Sequence, residues 1–589
     1  MSDQVAKNRE MIVKAQQEGL GSTLLAYTKL SGPGWLQSAI TLGGGSLASA
    51  LFLGILTGTN LLWVQLFAII MGVIMLSAIS HVTLSTGKKP FQAINQDINP
   101  VLGWGWLIAT CLANMIWCMP QFSLSYDALS KNLAPTMFDG SDNGKYIVSV
   151  VLLTAAVFVL YLNNKQGRAA KAFDIILKVM VAIVVLSFFA AVMVMAIEGK
   201  VEWGAVFGGF IPDLSQLSKP VGELAILIDG LEKPLQEFWT QRVVEAQQNV
   251  IISAAATAVG INMTFLLPYS MLARGWDKPF RGMAKFDLST GMVIPYLLVT
   301  TCVVIASATM FHAGGEGFDN SKLASFDIEV MKVSPSYEKV APILSERLEL
   351  KTPFNELEGQ QLEAVELQIA SMSIAEKKLA SSVVKKNAFE LSSSLAPVFG
   401  EGEEGQSWAS LIFGIGVLGM GFSTIIILML INGYAFCEMF NVEQGSRMHM
   451  IGCLVSGVCG AIWPFVWGGD AQFWLAIFVS SFGFILLPIA YSTFFMMMNN
   501  KRIMGEERPE GRSRVLWNVL MGISCVCVFT AVIFTILGKI QGKGGDYILG
   551  LVVVFVIAVI IGFIKKKPAP LAVETVATSE PADAADTAS

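Results

Sequence analysis

The sequence predicts an all-α, polytopic membrane protein. Composition is the first reason. Of 589 residues, 54% are hydrophobic and only 14% charged, and mean hydropathy is +0.60. Soluble domains carry roughly 25% charged residues. The second reason is a series of apolar runs, each long enough to cross a bilayer as a helix. Runs of that length argue for helices rather than a barrel, whose strands are short and alternating. The third reason lies inside two of those runs, where glycine and proline interrupt the helix.

Spanning segments are predicted at 35–56, 61–84, 102–127, 146–162, 173–197, 248–273, 287–311, 408–437, 448–468, 472–498, 514–537 and 546–564. That makes about twelve. The segment 146–162 sits at the lower limit of length. Lys and Arg set the orientation. With the N-terminus inside, inner loops hold Lys88 and Lys89; Lys165, Arg168 and Lys171; Arg274, Lys278, Arg281 and Lys285; and Lys501, Arg502, Arg508, Arg512 and Arg514. Short outer loops hold fewer. Both termini are therefore expected in the cytoplasm, with the protein in the plasma (inner) membrane.

The chain divides accordingly. Residues 1–34 are a polar, helix-prone cytoplasmic segment without the apolar core of a signal peptide. Residues 35–197 form a first set of five spans, and 198–247 an amphipathic external loop. Residues 248–498 form a second set of five, interrupted by 312–407. That insertion holds sixteen acidic and nine basic residues, net −7. Its run from Glu338 to Leu391 is rich in Glu, Lys, Leu and Ala and reads as an external helical cap. Residues 499–564 add two spans. The tail 565–589, rich in Ala, Thr, Asp and Glu, reads as disordered. The eight cysteines fall within or beside apolar runs, so no disulfide framework is expected.

The first interruption is Gly43-Gly44-Gly45-Ser46, within the run Ser31 to Ala50. Glycine costs about 1 kcal/mol relative to alanine inside a helix, and three in a row predict a break. The plainer role of such residues is close helix packing. The second interruption is in the sixth span, where Gly260, Asn262, Thr264 and Pro268 weaken the centre. Interrupted spans at matching places in two five-helix halves are the sequence mark of an inverted-repeat transporter. The substrate site is therefore expected at Gly43, Gly44, Gly45, Ser46, Asn262, Met263 and Thr264. Gln37 and Asn114 are polar neighbours that serve equally well as glue between helices. Ser423 and Thr424, adjacent hydroxyls in the eighth span, are the candidate coupling-ion site.

The residues also resemble a known family. Gly32-Pro-Gly-Trp35 leading into a broken helix is similar to the start of Nramp-type divalent-metal transporters. So are Leu61-Leu-Trp-Val64, Leu84-Ser-Thr-Gly87, Gly421-Phe-Ser-Thr-Ile425 with Cys437-Glu-Met-Phe440, and Leu487-Pro488 with Asn499-Asn-Lys-Arg-Ile-Met-Gly505. The resemblance implies a LeuT-like 5+5 inverted repeat and alternating access. The family's Asp-Pro-Gly-Asn falls at Gly43–Ser46, its sixth-helix Met-Pro-His at Asn262-Met263-Thr264, and its second histidine at Tyr269. The usual carboxylate, thioether and imidazoles are thus replaced.

A divalent ion in a low-dielectric site wants acids or several oxygens, and neither break offers an acid. The nearest acids, Asp127, Asp174 and Glu438, sit at span ends, and Asp174 is spaced to pair with Lys178 on its own helix. His81, His312 and His449 also fall near span ends, and Cys111 and Cys118 read as packing residues. A glycine-rich break also suits a carboxylate-bearing solute, because half-helix N–H groups attract anions. Two cargoes are therefore carried forward, a metal ion and a small organic solute such as an amino acid or carboxylate, with Na⁺ or H⁺ as coupling ion. A non-transporting sensor or scaffold is the third reading. No nucleophile–base pair or phosphate loop suggests an enzyme, no cofactor is implied, and no basic patch suggests nucleic acid.

Overall fold

The computed structural model describes residues 2–137, 142–163, 168–313, 320–334, 336–384, 392, 396, 399–400, 402–466, 472–540 and 545–565. The expected tail lies outside them from residue 566 onward. Every predicted span is helical over its described residues, but among these residues ten helices, or eleven with the bent first pair, rather than twelve are long and apolar enough to cross a membrane; the ninth, Arg447–Ala461, has only 15 residues. Span 1 is Pro33–Thr41 (1a) and Gly44–Thr57 (1b); spans 2 to 5 are Leu62–Thr86, Pro100–Asp127, Asp142–Asn163 and Arg168–Ile197. Span 6 is Lys233–Ala258 (6a) and Ile261–Ala273 (6b), and span 7 runs from Arg281–Leu288 through Ile294–Phe311. Spans 8 to 12 are Gly402–Met439, Arg447–Ala461, Gln472–Asn499, Gly511–Ile540 and Gly545–Lys565.

Local chemistry sets several of these limits. Asn99 caps span 3 by accepting from Val101 N, and Pro100 follows where a missing N–H costs nothing. Span 2 stops at Gly87, whose φ of 64° closes the helix in the left-handed region.

Two boundaries differ from expectation. The helix of span 6 begins at Lys233, not near 248, and so runs through the last third of the expected external loop. Its first four turns carry charge and therefore look like loop in a hydropathy reading, yet Trp239 and Val243 on them are fully buried. Span 9 ends at Ala461 rather than 468. It packs against spans 3 and 8, where Gly452, Gly457 and Gly460 let Phe436, Met429 and Phe122 approach its backbone.

Span 3 packs on spans 8, 9 and 10, and span 8 also on span 5 and on 1a. Half-helix 1b lies against span 7 and 6a. There a Cβ on Gly54 would sit 2.0 Å from Ser307 Oγ and 2.6 Å from the Val304 carbonyl. Span 11 packs on spans 10 and 2, while span 12 leaves Leu551, Val554 and Ile557 exposed, as a lipid-facing helix does.

Part of the 312–407 insertion forms the expected cap of helices, Tyr337–Glu346, Gly359–Ser371 and Ile374–Val383; residues 385–391 of the expected helical run lie outside the described ones. The cap has its own polar interior. Buried Lys377 donates to the carbonyls of Ser325 and Ala370, both at 2.7 Å, and Glu366 binds Lys332 at 2.6 Å and the Tyr337 hydroxyl at 3.1 Å. Helix Ile374–Val383 rests on 1b, on 6a and on the short helix Gly222–Asp229. The cap thus covers one end of both broken spans.

His312, just past span 7, fastens that end to 1b: its Nδ1–H donates to the Ile55 carbonyl at 3.0 Å. Burial holds the imidazole below its ordinary value of 6.5, while the Ile55 bond and nearby Glu223 pull the other way. A folded-state value below the unfolded one means that protonation favours unfolding. The contribution of His312 is therefore complete above pH 6.5 and declines as pH falls through that value. The thermal midpoint of the wild type should drop faster below pH 6.5 than that of His312→Gln, and parallel curves would contradict this assignment. Separately, Gly54→Leu should lower the midpoint by several degrees, because overpacking costs about 1–3 kcal/mol; an unchanged midpoint in detergent would contradict the packing.

Candidate functional site

The two breaks meet in the interior. Span 1 bends by 54° between its halves, and 6a ends at Ala258, with Val259 and Gly260 before 6b. Each break frees backbone groups that need partners where water is scarce. The Thr41 carbonyl accepts from the Ser46 hydroxyl. The Ala39 carbonyl accepts from Ser423 Oγ at 3.2 Å and Thr424 Oγ1 at 3.0 Å. Gly44 N donates to Gln121 Oε1 at 3.0 Å, and Gly260 N to the Met263 sulfur at 3.4 Å.

Met263 joins the two breaks. Its sulfur also accepts from Thr41 Oγ1 at 3.5 Å, and its carbonyl accepts from Gln37 Nε2 at 3.3 Å. The matching position, Asn262, carries no thioether, yet the next residue delivers one to the break. Asn262 turns to its own backbone, its Oδ1 accepting from Met263 N at 2.9 Å. Thr264 is also occupied, donating to the Ile261 carbonyl and accepting from Trp106 Nε1 at 3.0 Å.

Gly43 and Gly44 are needed for close approach rather than for unusual dihedrals, φ at Gly43 being −103°. A Cβ on Gly43 would meet Thr424 Oγ1 at 2.9 Å, and one on Gly44 would meet Leu124 Cδ2 at 2.8 Å. Spans 8 and 3 therefore press on the break from two sides. Close packing and a break both hold at this triplet. Ser423 and Thr424 stand where a coupling ion was expected; each also bonds back to the Met420 carbonyl, at 3.3 and 2.8 Å. Asn114 lies apart from the breaks, donating to Asn432 Oδ1 at 3.1 Å between spans 3 and 8.

Several buried polar atoms at the breaks have no partner: Gln37 Oε1, Ser38 Oγ and Gln121 Nε2. Gln121 was not among the predicted site residues, though a glutamine deep in an apolar helix is itself a signal. Among the described residues, no group of three or more His, Cys, Asp or Glu is placed to hold a metal ion.

The acids of the spans do other work. Asp174 pairs with Arg274 at 2.7 Å, across from span 5 to the end of 6b, and not with Lys178 as its spacing suggested. Lys178 donates instead to the Ser31 carbonyl at 3.0 Å. Glu438 is buried against Lys89 at 2.7 Å. Asp287 of span 7 accepts from Gly32 N at 3.1 Å and Gly34 N at 2.6 Å. This carboxylate caps the start of 1a, where the first N–H groups lack helical partners and the helix dipole favours negative charge. Gly34 has no room for a side chain, since a Cβ would lie 2.1 Å from the Asp287 carbonyl oxygen. Asp287, Arg274 and Lys178 together latch the Lys/Arg-rich end of 1a.

A polytopic helical chain whose interrupted spans 1 and 6 meet at a buried polar site is built as a secondary transporter. A family model described as natural resistance-associated macrophage protein-like (Nramp) matches residues 34–331 and 368–537. The chain belongs to this family, and it is a multi-pass integral membrane transporter. Its fold is similar to that of a variant of the Eremococcus coleocola manganese transporter, with a TM-score of 0.59 and 13% identity over 92% of this chain and 95% of that one. The same transporter in complex with an aromatic bis-isothiourea substituted compound gives 0.54 and 15% identity over 92% and 94%. The all-α polytopic fold expected from the sequence is thereby found. No curated protein sequence matches the chain.

Removing the Asp287 carboxylate leaves two buried N–H groups unpaired, a cost of about 1–3 kcal/mol each. Asp287→Ala should loosen 1a and raise the labelling rate of a cysteine placed at Ser38 several-fold over the same cysteine with Asp287 intact. An unchanged rate would show that the latch does not hold this end closed.

Proposed function

We propose that this protein moves a metal ion by alternating access around the breaks of spans 1 and 6, with the ion held by neutral donors. Transport, not catalysis, is its work. The observation that carries the cargo is the Met263 sulfur at the junction of the two breaks, on a residue whose carbonyl is bonded by Gln37, the carboxamide with an unpaired Oε1. A thioether and a carboxamide oxygen are metal donors that carry no charge. The relatives of known structure are named as manganese transporters, which supports the same class of cargo.

A site without carboxylates cannot offset the full dehydration of a doubly charged ion. The cargo is therefore a divalent ion that keeps much of its water shell, and binding is weak. Mg²⁺ dehydrates reluctantly and suits such a site, while the sulfur favours Mn²⁺ over it. One helix bundle rocks around the midplane site built from Gly43–Ser46 and Ile261–Thr264. The Lys/Arg-rich face, which holds the Asp287 latch, is the cytoplasmic one, with both termini there and the cap outside, in the plasma (inner) membrane.

A second reading, a small dipolar organic solute coupled to Na⁺, is favoured by Ser423 and Thr424. Their hydroxyls converge on the Ala39 carbonyl at the end of 1a, a hard-oxygen arrangement suited to a monovalent ion. Calorimetric titration of the detergent-purified protein with Mn²⁺ and Mg²⁺ separates the two. The metal reading expects binding that weakens at least fivefold in Met263→Ala, more for Mn²⁺ than for Mg²⁺. A folded wild type silent to both ions contradicts it, and Na⁺-dependent binding of an amino acid would then establish the second.

A further inference from the structure

We infer that Gln121 is the charge-setting, specificity-determining residue of the cargo site. The inference rests on the reading that cargo binds at the breaks. Gln121 lies in span 3 and is fully buried. Its Oε1 accepts the N–H of Gly44, the first residue of 1b, at 3.0 Å. Its Nε2 has no partner. Both amide atoms lie within 3.6 Å of the position a Cβ on Gly44 would take, so the whole carboxamide is laid against the break.

Position and orientation together carry the argument. The N-terminus of 1b favours negative charge, because its first N–H groups have no partner within the helix and the dipole adds to them. A carboxylate oxygen would suit this place, and the side chain that reaches it is the neutral isostere. The amide therefore supplies the cap that 1b needs while keeping the site uncharged. A helix cap alone does not explain the other half of the group. A buried donor without a partner is costly, and natural interiors rarely tolerate one without a use. On half-helix 1a, Gln37 Oε1 and Ser38 Oγ are also buried and unpaired. The unpaired Gln121 Nε2, laid against the Gly44 break, is the group that cargo at the break would meet.

Gln121 then decides how much charge the site tolerates. With an amide, a bare divalent ion meets no anion and a free N–H faces it. With a carboxylate of the same shape, the Gly44 bond survives and the free donor is replaced by an anionic oxygen.

The test is Gln121→Glu beside wild type and Gln121→Met, titrated calorimetrically with Mn²⁺, with thermal midpoints as the measure of folding. Gln121→Glu should bind Mn²⁺ at least tenfold more tightly than wild type, or bind it where wild type does not, at a midpoint within a few degrees. Gln121→Met, close in volume but without the amide, should lower the midpoint and gain no Mn²⁺ affinity. Wild-type binding with no gain in a folded Gln121→Glu overturns the role of Gln121 and leaves the metal reading standing. Silence of wild type and Gln121→Glu alike overturns both. If Gln121→Glu does not fold, Gln37→Glu on the facing half-helix decides. The same tenfold gain there supports a charge-limited site at this break, and its absence from a folded Gln37→Glu overturns it.

Discussion

Two helices broken inside an apolar bundle leave backbone N–H and carbonyl groups that no water can satisfy cheaply. That constraint organises the whole interior. It recruits Ser46 for the Thr41 carbonyl, Ser423 and Thr424 for Ala39, Gln121 for Gly44, and the Met263 sulfur for Gly260. Each of these partners is a small or flexible polar side chain, and all are neutral. The same atoms that pair the freed backbone are those a cargo would compete for. On the proposed function, repair of the fold and recognition of the ligand use one set of interactions.

The two ends of the broken helices are held differently. At the Lys/Arg-rich end, 1a is held by charge: Asp287 on its N–H groups, Lys178 on Ser31, and Arg274 paired with Asp174. At the other end, 1b is held by packing under the cap and by His312. Charged latches exchange protein partners for water at modest cost, whereas packed helices separate only by exposing apolar surface. The two ends of the broken helices are thus held by different forces, one largely electrostatic and one by packing.

Much of this architecture was legible in the sequence because bilayer physics writes long apolar runs and because glycine triplets are rare inside them. The breaks at Gly43–Ser46 and Gly260, most of the spans and the hydroxyl pair at 423–424 follow from that grammar. Other features were hidden for identifiable reasons. The extension of 6a to Lys233 is charged, so hydropathy hides it, although Trp239 and Val243 repeat at helical spacing. The Asp174–Arg274 pair defeats the i,i+4 expectation because a tertiary partner from span 6 outcompetes Lys178. Asp287 is not among the acids that the sequence singles out, because its partners are the backbone N–H groups of Gly32 and Gly34, 255 and 253 residues away in sequence. Met263 sits one position from the expected ligand, and only the turn at Gly260 shows that its sulfur faces the break.

The central claim is that the junction of the two breaks faces the two sides of the membrane in turn. It is tested most directly by labelling a cysteine placed at Thr41 with an impermeant reagent, added from one side or the other of reconstituted vesicles of known protein orientation. Native cysteines serve as the background, those at 111, 118, 302, 437 and 453 being buried. Modification from both sides, with saturating Mn²⁺ slowing both, is the predicted result. Modification from one side only, or from neither in a folded preparation, would contradict alternating access and favour a sensor or scaffold built on a carrier's fold.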